Sequence, residues 1–480
     1  MKLRIFAWII LFFTGQFAIA QPGMSDWIGV IETDETLKGA GLGIAAVDLA
    51  TGTPLAQRNA ALLLVPASTL KLLTSAAALE ILGGGYRFRT EAGYRGEIKP
   101  SELLLAGDLV VKGGGDPALG SEWFPRHYAH PSFLEKWAEA VKDAGIRRVS
   151  GNIVVDPASY PTNVVPGTWV WEDLGNYYGA APSGVNYADN TVRLFFRTPA
   201  RAGQPAELIR VSPEIPGLQW INEVRSSTDP RDQAYIFGSP LDDHRLITGT
   251  IPAGQAAFEV KVAMPDPPRV LGRMFAEALF RAGVLLEGKV IVSDEPVEMK
   301  LLAVTESPRL AEIVNYLNAE SINLFAEQLV CQVARVKTGV GSWQKGLEII
   351  QDFWRERGLN EPFYMADGSG LSRFSALSAQ QMVAALTYMN NQAENGAAFK
   401  QSLPAAGEGT LYLFDQARFP NRSLRCKSGS MTRVRCYAGY LRCNSGREVA
   451  FAVLVNNFSG SQAGITRKIE RLLTLWRENW

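Results

Sequence analysis

Between Gly41 and Ala60 the chain carries two short runs, Leu42-Gly43-Ile44-Ala45-Ala46-Val47 and Pro54-Leu55-Ala56, on either side of Thr51-Gly52. Apolar runs of this length flanking turn residues predict two strands. The period then changes. Pro66 is followed by Leu70, Leu72, Leu73, a run of alanines and Leu79, Ile81 and Leu82, before Gly83-Gly84-Gly85. Proline near the start and glycine after the end predict a helix between them. Beyond its first turn no face is polar, which predicts a helix buried in the middle of a domain. From about Arg87 to about Met299 the pattern is one of short alternating segments broken by Gly and Pro, such as Leu103-Leu104-Leu105, Leu109-Val110-Val111 and Asn152-Ile153-Val154-Val155. This stretch reads as strand-rich and separate. Helical spacing returns from Leu310 to Val336, where Ile313, Leu317, Ile322, Leu324 and Leu329 suit one buried face. The chain closes on a strand pair, Arg435 to Leu441 and Glu448 to Asn456, and an amphipathic helix over Ala463 to Trp480.

At 480 residues the chain is long enough for a full core and more than one domain. Its 48 Lys and Arg equal its 48 Asp and Glu, so no basic face for nucleic acid is advertised. The first twenty residues stand apart. Lys2 and Arg4 precede an apolar run from Ile5 to Phe13, and Ala18-Ile19-Ala20 supplies a small-x-small cleavage pattern. Residues 1–20 therefore read as a signal peptide and predict export, periplasmic or extracellular. The run is short of the ~20 residues that span a bilayer, so no integral membrane span is expected after processing. An oxidising compartment predicts a bridge from Cys426 to one of its neighbours, Cys436 or Cys443. Those two cannot pair with each other, being roughly 23 Å apart on one strand at ~3.3 Å per residue.

The strongest chemical signal is Ser68-Thr69-Leu70-Lys71 in the first turn of the buried helix. Positions i and i+3 share a helix face, so the amine reaches the hydroxyl. A serine needs a base to become a nucleophile, and a lysine is that base only when burial or a nearby cation lowers its pKa. The free N–H groups of the helix start suit a developing oxyanion. The spacing recurs at Ser342-Trp343-Gln344-Lys345, among glycines rather than at the start of an apolar helix, and reads there as coincidence.

Two further elements follow, Ser321-Ile322-Asn323 in a helical region and Lys427-Ser428-Gly429-Ser430 on a strand before the terminal hairpin. In the order S-x-x-K, S-x-N, K-[ST]-G they resemble the three-motif site of penicillin-binding proteins and serine β-lactamases. Lys337-Thr338-Gly339 also matches the third motif but continues a helix. The segments Asn318 to Glu327, Asp367 to Ser372 and Leu403 to Leu411 narrow the resemblance to the D-Ala-D-Ala carboxypeptidase/endopeptidase family, the class C low-molecular-mass penicillin-binding proteins. One departure is Ser428 where Thr is usual.

The resemblance implies a mixed α/β catalytic domain, an antiparallel sheet covered by helices, assembled from residues 21–87 and 298–480 around strand-rich insertions at 88–297. It implies no cofactor and no metal, peptidoglycan stem peptides as substrate and β-lactams as inhibitors. It also implies roles. Ser68 attacks the terminal D-Ala-D-Ala carbonyl or a cross-link and Lys71 takes its proton. Ser321 relays a proton to the leaving amine, and Asn323 orients Lys71 and the substrate amide. Lys427, Ser428 and Ser430 hold the substrate carboxylate, with Gly429 between them, and the charge of Lys427 helps to depress Lys71. The backbone N–H groups of Ser68 and Ser430 form the oxyanion hole. Trp171-Glu172-Asp173-Leu174 resembles the segment whose aspartate meets the free amino end of the stem's diamino acid, which makes Asp173 a substrate-binding candidate.

The remaining motifs read as structural. His127, His130 and His244 lie in the insert, away from every serine motif, which argues against a Ser-His-Asp triad and against a His127-x-x-His130 metal pair. Asp367-Gly368-Ser369-Gly370 reads as a tight turn lining the cleft. Gly113-Gly114-Gly115 lacks the Lys-Ser/Thr of a phosphate loop. Competing readings are a serine β-lactamase, for which a compact chain without an insert is expected, an esterase, and a non-catalytic wall-binding protein, against which the intact motifs argue.

Overall fold

The computed structural model describes residues 34–480 apart from 129–131, 162–164 and 241. The signal peptide expected at 1–20, and His130, lie outside the described residues. Five antiparallel strands form the central sheet, in the order Leu424–Met431, Val434–Arg442, Glu448–Asn456, Gly41–Asp48, Pro54–Arg58. Both ends of the chain thus meet in one sheet, Gly41 opposite Asn456 and Asp48 opposite Val449. Alternation sends Cys436, Ala438, Tyr440, Ala450, Ala452 and Leu454 into the main core. It sends Tyr437, Leu441, Phe451, Val453 and Val455 onto Ile465, Ile469, Leu472 and Trp476 of the C-terminal helix Gln462–Asn479. A strand covered on both faces reads as a near-continuous apolar run, as Ala450 to Val455 does.

The same alternation corrects the expected disulfide, because all four cysteines are free and buried. Cys426 lies opposite Gly439, and Cys436 opposite Gly429. Cys436 is an odd number of residues from the partner of Cys426, so the two thiols leave opposite faces of the sheet. Cys443 shares the face of Cys426 but sits four residues beyond its partner, roughly 13 Å along the strand and out of reach of a bridge.

The serine helix packs on the main-core face. A 3-10 turn, Ala67–Leu70, runs into the α-helix Lys71–Leu82, buried at every residue from Lys71 to Leu79. Helices Leu310–Ala319, Asn323–Thr338, Trp343–Arg355 and Ala379–Asn391 surround it. The single helix expected from Leu310 to Val336 is in fact two. The chain breaks between them, with Ser321 at φ +63°, and a left-handed residue cannot continue a right-handed helix. Apolar spacing did not reveal the break because both helices bury their faces in the same core. Ser342 differs too. It does open a helix, accepting from the Lys345 N–H at 3.3 Å as N-cap, while the Lys345 ammonium turns outward to Glu348 at 2.7 Å.

Residues 89–306 carry the other sheets. A seven-stranded sheet holds Arg89–Lys99, Leu104–Lys112, Ile153–Asp156 and Lys300–Glu306 among its strands, flanked by helices Phe133–Asp143 and Pro267–Arg281. Lys300–Glu306 runs antiparallel to Arg89–Lys99. This strand, which the sequence left with the second catalytic segment, is therefore hydrogen-bonded to the insert's sheet, a pairing too distant in sequence for any local signal. A three-stranded and a four-stranded sheet enclose a separate core of Val192, Leu194, Phe196, Ile236, Ile247 and Val260. Among the described residues no helix is long and apolar enough to cross a membrane.

Candidate active site

Ser68 sits in the 3-10 turn, and the first residue of the following α-helix is Lys71. The side chain of Lys71 is fully buried. Its ammonium donates to Ser68 Oγ at 3.0 Å, Asn323 Oδ1 at 2.6 Å and the Ser369 carbonyl at 2.7 Å. Every N–H of the ammonium therefore has a fixed acceptor, one of them the candidate nucleophile.

Burial pushes Lys71 down to about 7, against the opposing pull of the Asp367 and Glu327 carboxylates. Asp367 accepts from the N–H groups of Gly370 and Ser372 and from the Trp169 indole. Glu327 accepts from Gly368 N, Ser369 N and the Trp343 indole, and is pushed up to about 7 by its own burial and then by Asp367. Lys427 is also fully buried, donates to the Ser428 carbonyl at 2.9 Å, and is held well below the ordinary lysine range, first by burial and then by Lys71. Burial is the leading cause on both lysines, and the repulsion between them adds to it on Lys427. Two buried lysines thus stand beside two buried acidic side chains.

Leu424–Met431 is an edge strand whose open side faces the serine turn. Cys426 N–H points out from that edge, donating to the Pro404 carbonyl at 3.1 Å. By the period of two, the N–H groups of Ser428 and Ser430 leave on the same side. The strand comes so close that a Cβ on Gly429 would stand 2.6 Å from the Pro66 carbonyl oxygen and 3.1 Å from Ser68 N. Only glycine allows that approach. Lys427 and Ser428 are buried behind it, and Ser430 is exposed at the mouth.

Asn323 opens the helix Asn323–Thr338 and divides its amide. Oδ1 takes Lys71, and Nδ2 donates to the Tyr178 carbonyl at 2.7 Å. One of the two amide hydrogens thus ties the site to the insert. Ser321, half-buried beside it, makes no hydrogen bond to Ser68 or Lys71. Asp173 is half-buried, its carboxyl raised by burial and by Glu172, and is hydrogen-bonded to the Tyr178 side chain. It connects to the site through that residue, whose carbonyl holds Asn323, and feels the charge of Arg373. His127 contacts the Glu306 carbonyl and His244 contacts Asp242, both remote from the Ser–Lys pair.

Glu327, Ser369, Trp169 and Tyr178 take part in the site although no motif announced them. Glu327 did leave a signal, since it stands four residues after Asn323 on the same face of an apolar helix. Trp169 and Tyr178 left none, because their contacts are made across the fold.

A family model described as the D-Ala-D-Ala carboxypeptidase 3 (S13) family matches residues 25–478. A D-alanyl-D-alanine carboxypeptidase of Actinomadura sp. (strain R39) is 30% identical over 457 residues, covering 90% of this chain and 81% of that protein. The D-alanyl-D-alanine carboxypeptidase DacB of Haemophilus influenzae is 24% identical over 436 residues, covering 89% and 88%. The crystal structure of penicillin binding protein 4 (dacB) from Haemophilus influenzae superposes with a TM-score of 0.80 at 22% identity, covering 95% of this chain and all of that one. The fold is the one they share.

Proposed function

The chain belongs to the D-Ala-D-Ala carboxypeptidase 3 (S13) family, and from this we infer that it is a serine D-alanyl-D-alanine carboxypeptidase whose nucleophile is Ser68 and whose base is Lys71. One observation carries the assignment of base. A neutral amine has two N–H bonds and one lone pair; Asn323 Oδ1 and the Ser369 carbonyl hold two positions around Lys71 Nζ, so the lone pair falls on Ser68 Oγ, 3.0 Å away.

In this reading the Ser68 proton passes to Lys71 as Oγ attacks the D-Ala-D-Ala carbonyl. The oxyanion rests on the N–H groups of Ser68 and Ser430. When the C–N bond breaks, the leaving D-alanine amine takes the proton back from Lys71 through Ser321, and an ester on Ser68 remains. Water attacks that ester, giving its proton to Lys71, which passes it to Ser68 Oγ as the C–O bond breaks and the shortened peptide leaves. Lys427, with Ser428 and Ser430, receives the substrate carboxylate, and Asp173 faces the stem's diamino acid. A cross-link presents the same bond, so an endopeptidase activity uses the same groups. β-Lactams acylate Ser68 in the same way. Export to the periplasm or beyond, and residues 88–297 as the insertion, belong to this reading.

Intact mass after incubation with benzylpenicillin tests it. The wild type gains one drug mass and Ser68→Ala gains none. Rapid drug turnover without an adduct would move the assignment to a β-lactamase. An adduct that persists on Ser68→Ala would refute it.

A further inference from the structure

Beside the Ser68 cleft an open groove of about 620 Å3 runs along the insert, between the turn Tyr177–Gly179 and the strand Gln233–Phe237. Tyr178 stands between cleft and groove. Its carbonyl holds Asn323 and its side chain holds Asp173, while it also lines the groove. Two aromatic rings lie open on the groove walls, Tyr177 at 55% exposure and Tyr235 at 45%. Large rings left exposed on a rigid wall beside a catalytic cleft mark a contact surface.

Charge and backbone narrow what that surface takes. Lys261, the cation lining the groove, is paired with Glu122 at 2.6 Å, which also pairs with Arg193 at 2.5 Å. Among the described lining residues no unpaired cation is offered to an anion. Gln233–Phe237 is an edge strand, yet its outward N–H groups are already taken, Ala234 by Asp232 Oδ1 at 2.9 Å and Ile236 by Asn176 Oδ1 at 3.4 Å. An added peptide strand would find few donors there. Tyr177, Tyr235 and Asp232 bring two phenol hydroxyls and a carboxyl group to the lining. Aromatic faces with scattered acceptors suit a neutral ring that is apolar on its C–H face and carries hydroxyls around its edge.

We propose that this groove is a saccharide subsite, holding the N-acetylated amino-sugar chain from which a stem peptide hangs while Ser68 attacks the peptide. It rests on the stem-peptide reading of the Ser68 site, and it places the sugar on the insert side of Tyr178.

Two measurements on the full chain test it. The tetramer of N-acetylglucosamine is titrated against the wild type, Tyr177→Ala and Tyr235→Ala, and kcat/KM is compared for a stem peptide with and without its disaccharide. The wild type should bind the tetramer, weakened about tenfold or more in either variant, one order being ~1.4 kcal/mol. It should also prefer the sugar-bearing peptide, and the variants should lose that preference through KM. Their rates on the bare peptide and with benzylpenicillin should match the wild type, which also shows that they fold. No binding of the tetramer to the wild type, or equal losses on both peptides, as a peptide occupant would give, overturns the proposal. Failure of benzylpenicillin to acylate the wild type instead sinks the Ser68 reading, and tetramer binding separates the two failures.

Discussion

Gly429→Ala tests how closely the strand Leu424–Met431 must approach the serine turn. The added Cβ would stand 2.6 Å from the Pro66 carbonyl oxygen and 3.1 Å from both Ser68 N and Thr69 N. All three are backbone atoms of the turn that positions Ser68, so no side chain can swing aside. Restoring ordinary contact moves strand and turn apart by ~0.8 Å, and overpacking of this kind costs roughly 1–3 kcal/mol of stability. The larger effect is on rate. The same displacement separates the N–H of Ser430 from that of Ser68, and a misplacement of ~1 Å costs on the order of 100-fold in a site that works by positioning. The assay is the second-order rate of acylation by benzylpenicillin, read with Tm. Gly85→Ala is the control, since nothing lies within 4 Å of its Cβ and its rate and Tm should stay at wild-type values. A Gly429→Ala rate within about threefold of wild type would show that the gap tolerates a methyl group and would refute the argument.

The acylation rate should rise with pH and level off above about 7, because Lys71 is a base only when neutral and burial places its pKa there. Glu327→Gln removes a carboxylate that pulls that pKa up, so its acid limb should move to lower pH; a limb centred near the ordinary lysine value, or a shift the other way, would contradict the assignment. The four thiols should resist iodoacetamide in the native protein and react once it is unfolded, since all are buried and burial pushes Cys436 up to about 12 and Cys443 to about 11. Reductant should leave Tm unchanged; a drop would reveal a bridge.

The sequence by itself determined what depends on local pattern. The all-round apolar helix behind Pro66 placed Ser68 and Lys71 on one buried turn, and the burial that lowers Lys71 follows from those same neighbours. The twofold alternation of the last strands, and the order of the three motifs, were equally legible. Tertiary structure decided whatever depends on distant segments meeting. Ser321 breaks its helix inside an unbroken apolar period, because both halves pack into one core. Cys426 and Cys436 sit on adjacent strands yet on opposite faces, because register is set across the sheet. Lys300–Glu306 pairs with Arg89–Lys99, and Trp169 and Tyr178 reach from the insert to Asp367 and Asn323. Local periodicity records which face of an element is buried but not which other element covers it, so the link between insert and catalytic centre was decided only when the chain folded.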